Sequence, residues 1–144
     1  MSESLWKKEF TLESLNQRGK GCGVEHMDVH ITKATGNTLY ATMPVDARTK
    51  QPLGILHGGS SVFLAESVGS LAANLAADSD HYCVGQEINA NHLKSVSSGL
   101  VTAKASPVHI GRSSQVWSIE ITDEKERLIC ISRLTMAVLK YKKE

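Results

Sequence analysis

An excess of charge of one sign, paired cysteines and any Pro/Ser-rich linker are all missing from this chain, and each absence removes a class of function. Sixteen Lys and Arg stand against fifteen Asp and Glu in 144 residues, a formal net charge of +1. That balance supplies no overall field for nucleic acid or an anionic membrane surface, so neither is expected as a partner, although a local basic patch could hold a small anion. The three cysteines, Cys22, Cys83 and Cys130, form no CxxC pair, which argues against a zinc ribbon, a thioredoxin-type site or a dense disulfide framework. Cys130 lies in the apolar run LICIS, where a cysteine usually behaves as a small core residue, and a reduced cytoplasmic setting is expected. The N-terminal MSESLWKKEF carries acidic residues and no apolar core of signal-peptide length, so secretion is not expected. With no repeat and no linker, the length predicts one domain over residues 1–144 around a single core.

Two motifs of hydrolytic chemistry are also absent. No HExxH or comparable ligand spacing occurs, and His26 and His30 would lie about 13 Å apart on a strand, so no metal site is expected. The segment HGGS is similar to the oxyanion motif of lipases and esterases, but the GxSxG nucleophile elbow that such enzymes require is missing.

What is present is a pattern of strands around one apolar segment. Thr11 can cap a short helix over residues 11–18, which the glycines of GKGCG then break. From Val24 the period becomes two: Met27, Val29 and Ile31, then Leu39, Ala41, Met43 and Val45 beyond a turn at Gly36-Asn37, predict two strands. Residues 60–77, SSVFLAESVGSLAANLAA, are too long for a strand, and Leu64, Val68, Leu71 and Leu75 recur at helical spacing. A helix apolar nearly all round belongs at the centre of a fold. Strands are then predicted over 84–96, 100–109, 113–122 and 128–141, with Pro107 marking a bulge or an unpaired edge. The order β-β-α-β-β-β-β gives an α+β fold, one long helix covered by a largely antiparallel sheet. Edge pairing between copies would protect the remaining edges, so at least a dimer is expected.

Chemistry centres on Glu66, the only formally charged residue between Gln51 and Ala77. A carboxylate there would be costly in lipid, which argues against a membrane span. In a protein core it has either a specific task or a distant cationic partner, or it reaches solvent where the helix face does, and composition divides these evenly. Eight residues earlier, His57-Gly58-Gly59-Ser60 sits at the predicted helix start. There backbone N–H groups are unpaired, and glycine lets a carbonyl approach them as an oxyanion hole requires. Ser70 follows Glu66 by one turn on the same face, and Gln51 lies in the loop feeding the helix.

The runs TKQPLGILHGGSSVFLAESVGSLAA, VGQEINANHLKSV, HIGRSSQVWSIEI and SRLTMAVL resemble the hotdog-fold acyl-CoA thioesterases. They are most similar to the branch containing 1,4-dihydroxy-2-naphthoyl-CoA hydrolase, of menaquinone biosynthesis, and the enterobactin-pathway proofreading thioesterase. The resemblance implies a curved antiparallel sheet wrapped around one helix, paired into dimers or dimers of dimers. It implies that Glu66 is the catalytic carboxylate, as nucleophile or general base, and that the Gly58 N–H polarises the thioester carbonyl. His57 and Gln51 would hold that group, and Ser70 would place the attacking water. Coenzyme A would lie with its phosphates in a surface groove near the dimer contact, with Gly85, His92, Lys94 and Ser95, and His109, Gly111, Arg112 and Ser113, placed around it. No cofactor is implied, because coenzyme A is part of the substrate.

The activity expected is hydrolysis of an aromatic or polycyclic acyl-CoA, with Val62, Phe63 and Val68 as acyl-pocket residues. The alternatives are proofreading of a mischarged aryl carrier protein, thioester hydration or dehydration, and non-catalytic acyl-CoA binding.

Overall fold

The computed structural model describes residues 3–143. A short helix α1, Leu12–Gln17, begins at Thr11, whose side chain accepts from the Ser14 N–H while Ser14 Oγ accepts from the Thr11 N–H. This reciprocal cap satisfies two backbone donors that a helix start leaves open. A single helical turn, α2, spans Gly23–His26, where the alternation from Val24 predicts strand. Asp28, at φ 56, then turns the chain in the left-handed region before strand β1, His30–Ala34, can begin. Val24, on the α2 turn, and Met27, its C-cap, still pack against the core.

Strand β2, Leu39–Pro44, precedes the long helix α3, Gly58–Ala76. Four strands follow: β3, His81–His92; β4, Leu100–Ile110; β5, Ser114–Thr122; and β6, Leu128–Lys140. All six strands form one antiparallel sheet in the order β1-β2-β4-β5-β6-β3. The expected α+β arrangement is therefore present, and Pro107 sits at a register shift between β4 and β5. A proline has no N–H for the ladder, and a bulge accommodates it inside the sheet.

Helix α3 packs against β2 through β6. Leu64, Ala65, Val68, Ala72, Ala73 and Leu75 are fully buried there. A Cβ on Gly69 would lie 2.8 Å from Leu134 Cδ2, so glycine permits the close helix–sheet approach. Trp117 is fully buried, donates to Gln115 Oε1 at 2.8 Å, and is stacked by Trp6 at 6.2 Å between ring centroids. The N-terminal strap thereby closes the far side of the core. No helix among the described residues is long and apolar enough to cross a membrane. Cys83 and Cys130 are buried and Cys22 exposed, all three as free thiols, and burial pushes the Cys83 and Cys130 thiols up from their ordinary values.

The two edges of the sheet differ. β1 offers five residues, whereas β3 offers twelve, and β3 lies directly over α3. An edge strand of that length presents a row of backbone groups suited to another strand.

Candidate active site

The helix start is built by a folded loop. Thr49 is fully buried, and its hydroxyl donates to the Pro44 carbonyl at 2.8 Å. Its carbonyl accepts from the His57 N–H at 2.8 Å, and the Leu56 N–H donates to the Val96 carbonyl at 2.7 Å. Gly54, at φ 80, supplies the left-handed residue in the turn that carries Gln51. The Gln51 Oε1 accepts from the Leu53 N–H, which leaves the side-chain NH₂ without a partner among the described residues.

Helix α3 begins at Gly58, two residues before the predicted start, because His57 is its N-cap. His57 Nδ1 accepts from the Gly59 N–H at 2.8 Å. A ring nitrogen that accepts carries no proton, so this bond assigns the neutral tautomer with its hydrogen on Nε2. Ser60 and Ser61 donate their N–H groups to the His57 carbonyl. With Gly59 capped and these two satisfied, the Gly58 N–H is the helix-start donor without a partner among the described residues. His92 stands beside it: a Cβ on Gly58 would lie 2.7 Å from His92 Nε2.

Glu66 is half-buried rather than enclosed, and has no hydrogen bond or ion pair among the described residues. Its carboxylate lies against Gly85 of β3, where any Cβ would run into Glu66 Oε1. Glycine at that position makes room for the carboxylate. Asn74 fastens helix to strand, accepting from the Cys83 N–H at 2.8 Å and donating to the Cys83 carbonyl at 3.1 Å. Ser70, one turn after Glu66, is half-buried. It lines a cavity between α3 and the N-terminal helices.

The predicted residues therefore form two groups within one chain. Gln51, His57, Gly58 and His92 gather at the helix start; Glu66, Ser70 and Gly85 gather near its middle. Eight residues of helix separate Gly58 from Glu66, about 12 Å along the axis. The expectation that both act on one thioester carbonyl is therefore not met by the two residues of a single chain.

The expected coenzyme A groove is likewise divided. His92, Lys94 and Ser95 lie at the end of the sheet where Thr122 pairs with Leu128. His109, Gly111, Arg112 and Ser113 lie at the other end, where Ser114 pairs with Ala137. Eight residues of β5 lie between, about 26 Å at strand rise. Within one chain these residues lie at two separate ends of the sheet. At the far end Arg112 borders a cavity with Lys7, Asp78 and His81. Lys7 is already paired with Asp78 at 2.8 Å and, with that hydrogen bond as the main cause, holds the Asp78 carboxyl below its ordinary value. Arg112 has no ion-pair partner among the described residues. Of the expected acyl-pocket residues, Val68 is fully buried in the core and lines no opening, while Val62 and Phe63 are half-buried. No cluster of His, Cys, Asp or Glu among the described residues could hold a metal ion.

Two features escape the sequence reading. The capping role of His57 could have been read from its place immediately before the helix, since a ring nitrogen can accept as a serine hydroxyl does. The Asn74–Cys83 staple has no local signature, because its partners meet only across the helix–strand turn.

Comparison with known proteins fits this geometry. Residues 53–130 match the model of the thioesterase superfamily. A 1,4-dihydroxy-2-naphthoyl-CoA hydrolase of Escherichia coli is 53% identical over 94% of this chain and 99% of its own length. The proofreading thioesterase EntH of Cronobacter turicensis is 47% identical over 94% of this chain and 98% of its own. A crystal structure of a thioesterase from Haemophilus influenzae superposes with a TM-score of 0.95 at 50% identity, covering 97% of this chain and 98% of that one. The chain belongs to the thioesterase superfamily and is a hotdog-fold thioester hydrolase.

Proposed function

We propose that this enzyme hydrolyses an aromatic or polycyclic acyl-CoA in the cytoplasm, at sites shared between two copies of the chain, and needs no cofactor. The observation that carries the reading is Glu66, a carboxylate on a central helix with no cationic partner among the described residues, lying against the edge strand at Gly85. In each site Glu66 adds to the thioester carbonyl carbon or withdraws a proton from a water that adds to it. The carbonyl oxygen gathers negative charge, and a Gly58 N–H aligned with the positive end of α3 stabilises it. The C–S bond then breaks. On the water route the sulfur takes the proton that Glu66 withdrew. On the direct route a thiolate departs and leaves a Glu66–acyl anhydride, which water hydrolyses, supplying the thiol's proton and the new oxygen and regenerating the carboxylate.

Antiparallel pairing of β3 with its own copy gives both components access to one carbonyl. Glu66 adjoins Gly85 and Gly58 adjoins His92, toward opposite ends of the same strand. A two-fold axis near Ile88 and Asn89 sets Gly85 of one chain beside His92 of the other, and so brings Glu66 toward Gly58 of the partner subunit. The same rotation moves the Arg112 turn of the partner subunit to the rim that carries Lys94. Guanidinium and ammonium groups there suit the phosphates of coenzyme A.

The name of the Escherichia coli relative, a 1,4-dihydroxy-2-naphthoyl-CoA hydrolase, supports an aryl thioester of coenzyme A, and an aryl-loaded carrier protein is the alternative to compare. A thiol-release assay over naphthoyl-, benzoyl-, phenylacetyl- and long-chain fatty acyl-CoA, with one aryl-loaded carrier protein, tests the reading. The aryl-CoA substrates are expected to turn over at least tenfold faster than the fatty acyl-CoA. Preference for the fatty chain or the carrier protein would refute it, as would loss of crotonyl-CoA absorbance without thiol release.

A further inference from the structure

The N-terminal cap leaves a cavity of about 270 Å³ against the polar flank of α3. Its apolar wall is formed by Leu15, Val29, Ile31 and Leu71, and Ser70 borders it one turn from Glu66. Residues four apart on a helix are neighbours, with Cβ atoms about 5–6 Å apart. An acyl group whose carbonyl is held at Glu66 can therefore extend past Ser70 into this space. Slightly smaller than the usual small-molecule pocket of about 300–1,000 Å³, the cavity suits a compact ring system better than a long flexible chain.

Two asparagines in the lining are already engaged. Asn16 donates to the Leu12 and Ile31 carbonyls at 3.0 Å and accepts from the Ile31 N–H at 2.8 Å. Asn74 is committed to Cys83 in the same way. Both act as rigid parts of the wall, and their polar atoms are not free for a ligand. The Ser67 hydroxyl donates to the Phe63 carbonyl at 2.7 Å.

Arg18 is different. Among the described residues it is the only charged one lining the cavity, and it stands at the exposed C-terminal end of α1, across the cavity from α3. Its guanidinium has no hydrogen bond or ion pair among the described residues, whereas Arg48 is paired with Asp46 and Arg127 with Asp123. A guanidinium offers several donors in a fixed plane and no acceptor, so it complements an oxygen atom, above all an anionic one.

Building on the thioesterase reading, we infer that this cavity receives the acyl group and that Arg18 selects acyl groups carrying an oxygen substituent at the end remote from the thioester. Arg18 is thus a specificity-determining residue, absent from the reaction chemistry and in contact with the far side of the substrate.

A matched pair of substrates tests this, benzoyl-CoA and 4-hydroxybenzoyl-CoA, with wild type, Arg18→Met and Arg18→Lys. Methionine keeps most of the apolar stem and removes the donors. Arg18→Met should lower kcat/KM for 4-hydroxybenzoyl-CoA at least tenfold and for benzoyl-CoA less than threefold, with Arg18→Lys intermediate. Equal losses on both substrates, or no loss on either, would overturn the inference. If the wild type cleaves neither substrate, the thioesterase reading of this site fails, and calorimetric titration with 4-hydroxybenzoate judges the cavity by itself. Binding that weakens at least tenfold in Arg18→Met upholds the assignment of Arg18; no binding, or binding indifferent to the substitution, refutes it.

Discussion

The two flanks of helix α3 are made from one stretch of sequence and behave as different materials. On one flank Leu64, Val68, Ala72 and Leu75 are fully buried against the sheet. On the other, Glu66, Ser67, Ser70 and Asn74 are half-buried, turned toward β3 and the N-terminal cap. The difference follows from where the sheet ends. Strands β2, β4, β5 and β6 cover the first flank with apolar side chains, while β3 is an edge that brings glycine at position 85. A carboxylate on the covered flank would lose its hydration with nothing in return. Placed beside an open edge, it keeps access to water while the same helix anchors it from behind.

Breaking the reactive flank should give the largest effect on turnover. Glu66→Gln keeps the size of the side chain and removes its charge. Thiol release from an aryl-CoA should fall by about a thousandfold or more, beyond the loss typical of a single oxyanion donor. Circular dichroism should show an unchanged fold, because Glu66 makes no stabilising bond among the described residues. Near-normal turnover by this variant would remove Glu66 from the chemistry.

A smaller loss is expected at the helix start. Gly58→Pro deletes the N–H at the first helical position, where proline is tolerated. His57, at φ −69 and ψ 130, already has the extended conformation that a following proline requires. Gly58→Ala adds a Cβ beside His92 yet keeps the donor. Turnover should fall about a hundredfold to a thousandfold in Gly58→Pro and clearly less in Gly58→Ala. Equal losses would mean that crowding of His92, and not the missing donor, is responsible.

The covered flank sharpens the comparison from the other side. Leu64→Ala should reduce stability by about 2–5 kcal/mol through a buried cavity, read by urea denaturation. Turnover per folded molecule should stay within about threefold of wild type, since near-attack geometry is set on the other flank. A loss of turnover comparable to that of Glu66→Gln would show that the two flanks are not separable.

Much of this contrast is legible in the sequence because it rests on periodicity. The helix and the last four strands follow from apolar spacing, the irregularity at Pro107 follows from proline's missing N–H, and Glu66 stands out as one charge in an apolar run. The helical turn at Gly23–His26 was hidden because three or four residues satisfy a period of two as well as one turn of helix. Ser70 and Glu66 share a face in the sequence pattern, yet only the structure places Ser70 on the cap cavity and Glu66 against Gly85. The coenzyme A residues could be matched by motif, but motif carries no distance. That His92 and Arg112 fall at opposite ends of the sheet depends on strand register, a property of the assembled fold.

Co-expression of two differently tagged chains, followed by isolation of doubly tagged dimers, tests the shared site most directly. If each site takes Glu66 from one subunit and Gly58 from the other, a Glu66→Gln chain paired with a Gly58→Pro chain retains one intact site. Its thiol release should be about half that of wild type, as two-fold symmetry requires. A chain carrying both substitutions, paired with a wild-type chain, should then be nearly inactive. The reverse outcome, an inactive mixed pair and a half-active wild-type pair, would mean that each chain works alone and would contradict the account.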